Sequence, residues 1–170
     1  MGLDMYLYER TFCPNVYRSK GKNYQTNFTT KMWNYGEKPE CEKRKFNDVA
    51  FITCRKGYWR KANAINRFFL DKCGRGLPDD DLNGRDLFVR DEYLVELRDI
   101  CFELLKLKGK KFKVKAQELL PTADGFFWGS TVYDKWYRDD LKRTIKIINK
   151  LNLDKTKDDW HIDYIYNADW

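Results

Sequence analysis

The chain has 170 residues, 42% hydrophobic and 35% charged, with 33 Lys+Arg against 26 Asp+Glu and a net charge of +7. At this length one core buries roughly 70% of the surface that the unfolded chain would expose, so a single domain over residues 1–170 is expected without disulfides or metal. The apolar content excludes disordered and fibrous classes. No stretch approaches the roughly 18 apolar residues of a membrane span, and the start Met1-Gly2-Leu3-Asp4-Met5 has no basic leader. The expectation is a protein of the cytoplasm with no membrane partner. The five cysteines, Cys13, Cys41, Cys54, Cys73 and Cys101, include no C-x-x-C pair and read as reduced thiols. Only His161 could add an imidazole, which argues against zinc.

Leu3, Met5 and Leu7 alternate with polar neighbours, the period of a strand with one buried face. Trp160, Ile162, Tyr164 and Tyr166 do the same at the far end, so the two termini are predicted to pair as antiparallel strands. Residues 10–48 are basic and irregular, with scattered aromatics. They read as a long loop or a weak hairpin, with Tyr24 to Trp33 the best strand candidate. Val49 to Thr53 is either a buried strand or the approach to a helix. From Gly57 the spacing of Tyr58, Ala62, Ile65 and Phe69 is helical, and Gly74 and Gly76 end that helix. A second helix is predicted from Asp91 to Leu107, with Leu94, Leu97, Cys101, Leu104 and Leu105 as its buried stripe. The lysine tract from Lys106 to Lys115 follows, then a short helical turn over Ala116 to Leu120 that stops at Pro121. The third long helix is predicted to open at Ser130 or Thr131, with Thr131 as N-cap and Asp134 completing a capping box. Its stripe is Tyr137, Leu141, Ile145, Ile148 and Leu151. These elements predict an α+β domain: a small antiparallel sheet pairing the terminal strands, with three main helices on one face.

Charge is unevenly spread. Residues 9–75 hold sixteen Lys/Arg against six Asp/Glu, whereas residues 76–170 hold seventeen against nineteen. The first half therefore suits an anionic partner, although a solvated basic surface has the same composition. The segment Arg55 to Asn63 interleaves Tyr58 and Trp59 with Arg60 and Lys61, so a base can stack while a guanidinium takes the phosphate. On a helix, Trp59, Asn63 and Asn66 make one line and Arg60, Asn63 and Arg67 another, both facing away from the core. The alternative is that Trp59 covers a sheet edge and the asparagines bond to loop backbone. The run Leu119 to Thr131 leads glycine-flanked aromatics into a helix N-terminus, which is either an anion site walled by Phe127 or Trp128 or a tightly turned core loop.

Hydrolase and nucleoside-triphosphatase signatures are missing, and no catalytic residue, metal ligand or cofactor is assigned. The acidic run Asp79-Asp80-Asp81, the pair Asp158-Asp159, and Asp4 with Asp163 on the terminal strands are candidates for a magnesium-dependent nuclease site, with surface roles the commoner alternative.

The blocks MGLDMYL at the start, Tyr58-Trp59-Arg60-Lys61-Ala62-Asn63-Ala64-Ile65, and Leu119-Leu120-Pro121-Thr122 through Gly125-Phe126-Phe127-Trp128-Gly129-Ser130-Thr131 to Tyr133-Asp134, Trp136-Tyr137 and Asp140-Leu141 resemble a widespread, mostly uncharacterised family of small tailed-bacteriophage proteins. The sequence departs from that pattern at Asn66-Arg67-Phe68 and in its basic segment 10–48. The resemblance implies a phage accessory protein in the host cytoplasm, directed at host defence. With a basic, aromatic-lined composition, such a role suits capture of a nucleotide or cyclic-nucleotide signal by Tyr58, Trp59, Arg60, Asn63, Arg67, Phe127, Trp128, Ser130 and Thr131. Direct inhibition of a host defence protein is the alternative, a metal-dependent nucleotide-cleaving enzyme is the third, and a homo-oligomer is compatible with each.

Overall fold

The computed structural model describes residues 2–12, 27–31, 41–45, 51–125, 127–151, 153 and 162–170. In chain order these form β1 (Asp4–Phe12), β2 (Asn27–Lys31), β3 (Cys41–Lys45), β4 (Phe51–Arg60), α1 (Asn63–Cys73), α2 (Asp79–Leu82), β5 (Leu87–Val89), α3 (Asp91–Lys106), α4 (Gly109–Leu119), α5 (Lys135–Ile148) and β6 (Ile162–Asp169). The fold is α+β. A four-stranded antiparallel sheet of order β4-β1-β6-β5 carries the N- and C-terminal strands at its centre, and β2 pairs with β3 in a separate two-stranded ladder.

The predicted pairing of the termini is present: Met5 faces Ala168 and Leu7 faces Tyr166. Because residues opposed across a ladder point to the same side, Met5, Leu7, Trp59, Tyr164, Tyr166, Leu87 and Val89 share one face, and all are buried. Helices α1 and α5 cover that face. Phe69 of α1 stacks on Tyr166 at 4.2 Å and 19°, an aromatic pair that adds about 0.5–1.5 kcal/mol beyond its buried area. Ile147 of α5 lies over Gly57 of β4. Helix α3 packs along α5, and α4 packs on α3.

Three sequence expectations are corrected. Tyr58, Trp59 and Arg60 lie on β4, and the helix begins only at Asn63. The strand alternation Gly57/Trp59 inward and Tyr58/Arg60 outward fits the same residues as helical spacing, and aromatic residues favour the pleated surface. The helical turn expected over Ala116 to Leu120 is longer: α4 begins at Gly109 and takes in Lys110, Lys111, Lys113 and Lys115 of the lysine tract, held by buried Phe112 and Ala116; lysine is a good helix former. Helix α5 starts at Lys135 rather than Ser130 or Thr131, because the Asp134 carboxylate accepts from the N–H groups of Trp136 and Tyr137 and so is the cap. Within the irregular segment the hairpin alternative holds: β2 falls inside the Tyr24 to Trp33 candidate and pairs with β3, and β1 continues to Phe12. The expectations for Asp158, Asp159, Trp160, His161 and Phe126 lie outside the described residues.

Candidate functional site

The junction of β4 and α1 is built around Leu3. Its N–H donates to the carbonyl of Phe127 and its carbonyl accepts from the N–H of Lys61, at 3.2 and 2.8 Å. Both tied residues take the left-handed backbone region, Lys61 at φ 57 and Phe127 at φ 74. Such conformations cost of order 1–3 kcal/mol each and persist where surrounding structure holds them. Gly129 approaches the same corner at φ +100, and a Cβ there would lie 2.9 Å from the Lys61 carbonyl oxygen. Only glycine satisfies both the dihedral and the approach.

This corner opens into a cleft of about 280 Å³ lined by Arg60, Lys61, Ala62, Asn63, Ala64, Ile65, Gly129, Ser130, Val132, Asp134, Trp136, Tyr137, Asp140 and Leu141. Its floor is the first turn of α1, where Ala62 supplies no side-chain cap and no acidic residue stands nearby in sequence. Asn63, Ala64 and Ile65 are 3%, 4% and 1% exposed. Among the described residues no acceptor meets their backbone N–H groups. A buried helix start whose donors lack partners is unusual, because each such donor costs free energy until something accepts from it. The N-terminal end of the helix dipole is positive, and Arg60 and Lys61 stand at its rim.

Opposite lies α5. Trp136 projects into solvent at 73% exposure, with Val132 exposed beside the same opening. Burial pushes the Asp140 carboxyl up to about 6, opposed by Arg143 and reinforced by the neighbouring carboxylates Asp139 and Asp134. The cleft thus joins donors and cations on one wall to an aromatic plate and a carboxyl of raised pKa on the other. A wider depression of about 720 Å³ between the end of α1 and the start of α3 contains Lys72, Arg75 and Arg90, but Asp91, Glu92 and Asp163 line it too.

Of the residues predicted from sequence, Arg60, Asn63 and Ser130 come together here, and the Asn63 amide donates to the Ser130 carbonyl at 2.7 Å. The others do not join them. Trp59 is wholly buried and its indole donates to Thr144, so it offers no stacking surface. Asn66 is buried rather than on an outward stripe, accepting from the Tyr166 hydroxyl at 2.6 Å. Arg67 is engaged by Asp71 and Asp79. Tyr58 lies on the sheet face away from the helices, donating to Asp4 at 2.5 Å, a bond that raises its hydroxyl pKa to about 12. Trp128 packs in the core against Trp170 and over Gly125, so the core-loop reading of this run prevails over an anion site at α5, whose first donors Asp134 already occupies. Phe127 is 43% exposed. The Thr131 carbonyl accepts from the Thr122 hydroxyl at 3.0 Å.

Nor do the acidic pairs converge. In the β1–β6 ladder Asp4 faces Asp169, whereas Asp163 faces Arg10 six positions away, about 20 Å along the strand. Asp79 is held by Arg67. Among the described residues no group of three or more His, Cys, Asp or Glu is placed to hold a metal ion, and no helix is long and apolar enough to cross a membrane.

Trp136 and Asp140 line the cleft but were not marked as site residues by the sequence. Nothing local in the sequence shows that α5, with Trp136 and Asp140, will lie across from the start of α1. Compared with family models, curated proteins and solved structures, the chain matches none.

Proposed function

We propose that this chain is a phage-type accessory protein whose cleft captures a small anionic ligand of the nucleotide class and withholds it from host defence in the host cytoplasm. One observation carries the reading: Asn63, Ala64 and Ile65, whose backbone N–H groups meet no acceptor among the described residues, line a cleft rimmed by Arg60 and Lys61. Backbone donors at a helix start, with flanking cations, are the chemistry that receives a phosphate. Trp136 adds a face on which a base can stack, and Asp140 can accept from a ring N–H. A volume of about 280 Å³ lies near the lower end of the roughly 300–1,000 Å³ usual for ligand sites, so it suits a mononucleotide or one end of a cyclic one.

The test is thermal stability of the purified protein against linear and cyclic nucleotides. A captured ligand at 100 times its Kd adds about 2.7 kcal/mol, the shift should disappear in Arg60→Ala, and the nucleotide should be recovered intact after heat denaturation. Altered nucleotide would replace capture by catalysis.

A second reading rests on the exposure of Val132 and Trp136 at 57% and 73% beside the cleft. Large exposed aromatics next to cations are typical anchors of a protein interface, here with a host defence protein. Should no nucleotide shift the melting curve, co-purification of a host protein that is lost in Trp136→Ala would establish it.

A further inference from the structure

The lysine tract plays no part in the cleft. Lys106, Lys108, Lys110, Lys111, Lys113 and Lys115 fall within ten residues that contain no acidic side chain. In α4 the inward positions are taken by Phe112 and Ala116, which turns the lysines outward. Lys115 bonds to Glu118. The other five are exposed, and among the described residues none makes an ion pair.

Their backbone is firmly placed. The Arg138 guanidinium donates to the carbonyls of Leu105 and Leu107 at 3.2 and 3.1 Å, and lies 4.4 Å over the Phe112 ring. The corner between α3 and α4 is therefore fixed by a cation from a third helix, so the lysines on both sides of it keep a set spacing. The arrangement also works against helix stability. Lys108 is the N-cap, no acidic residue occupies the first turn, and Lys110 and Lys111 stand at the positive end of the dipole. Five like charges in this setting repel one another unless a polyanion lies against them.

We propose that the exposed face of α4 is an electrostatic contact for the phosphate backbone of duplex nucleic acid, separate from the cleft. Eleven residues of helix span about 16 Å, enough to meet several phosphates. The residues outward on α4 are lysines, Val114, Gln117 and Glu118, with no aromatic ring. That suits a paired backbone better than unstacked bases, which require aromatic plates. The apolar face of α4 is already buried in the fold, so the helix has none to insert into a bilayer.

The test is fluorescence anisotropy of a labelled 20-base-pair DNA duplex with the full chain between 50 and 200 mM salt. Binding should weaken with a log–log slope of about −4, since each neutralised phosphate contributes about −0.9. Replacing Lys108, Lys110, Lys111 and Lys113 by Gln should lower affinity at least tenfold and flatten the slope by about 3. Removing charge at Arg143, Lys146 and Lys150 of α5 and its end should do neither. Circular dichroism and melting of both variants verify the fold. The proposal is overturned by equal losses in the two variants, by unchanged affinity in the α4 variant, or by stronger binding to anionic phosphatidylserine vesicles than to the duplex.

Discussion

The indole N–H of Trp59 donates to the Thr144 hydroxyl over 2.9 Å, and both side chains are wholly buried. The same hydroxyl donates to the Asp140 carbonyl at 2.8 Å, so one threonine links the edge strand β4 to the interior of α5. Thr144→Val keeps the shape but strands the indole donor. It should cost about 1–3 kcal/mol, read from urea denaturation. A cost no larger than that of an exposed control such as Lys142→Ala would show that the indole finds another acceptor.

A second contact between the same elements is steric. A Cβ on Gly57 would lie 2.6 Å from Cγ2 of Ile147 and 3.3 Å from Cβ of Leu7. Ile147 branches at Cβ and cannot swing aside freely, so the helix must lift or the strand must bend. Gly57→Ala is expected to lose about 1–3 kcal/mol by overpacking. Shortening the opposing side chain should relieve it. In Gly57→Ala/Ile147→Ala the loss should fall short of the sum of the single losses by at least about 1 kcal/mol; strict additivity would mean that the two do not meet.

Asn66 and Tyr166 form a buried pair in which the tyrosine hydroxyl donates to Oδ1 and, among the described residues, the amide nitrogen has no hydrogen-bond partner. Removing one member leaves more unsatisfied polar surface than removing both. Tyr166→Phe should therefore destabilise by about 1–3 kcal/mol, whereas Tyr166→Phe/Asn66→Leu should recover most of that loss. Denaturation midpoints of the two variants decide the matter, and a double variant weaker than Tyr166→Phe would refute it.

Much of this framework was legible because periodicity survives wherever a single face is buried. Leu3, Met5 and Leu7 are 0% exposed, and of the predicted stripe Leu94, Leu97, Cys101 and Leu104 are buried as its spacing required, with Leu105 half-buried at its edge. Legibility fails at junctions. Tyr58 to Arg60 fit both periods, and only the turn at Lys61, in a backbone region that sequence does not announce for lysine, separates strand from helix. Thr131 and Asp134 were both suitable caps, and the structure uses the latter. Arg67 looked available until α2 brought Asp79 to it across twelve residues. The cleft inherits this difficulty. Arg60, Asn63 and Ser130 were marked by residue type, but Trp136 and Asp140 reach the site through the packing of α5, a tertiary relation that no local pattern encodes.

Asp140 gives the cleft a pH signature. Its carboxyl is pushed up to about 6 by burial, while in the unfolded chain it titrates near 3.9, about two units lower. Between those values the folded chain keeps a proton that the unfolded chain has released. Stability therefore falls as pH rises through about 4 to 6, and the deficit is complete above that window. Discounted for the partial exposure of the group, the deficit is about 1–2 kcal/mol. Asp140→Asn should accordingly be more stable than the parent by about that amount at pH 7.5 and equal to it at pH 4. A gap that does not change between pH 4 and 7.5 would place the effect in packing instead. The same carboxyl reports on the ligand. A base that donates an N–H to Asp140 favours the ionised form and releases a proton on binding near pH 6. A bare phosphate seated at the start of α1 favours the neutral form and takes one up. Calorimetry in two buffers of different ionisation enthalpy distinguishes these signs, and so tells whether the cleft reads a base or only an anion.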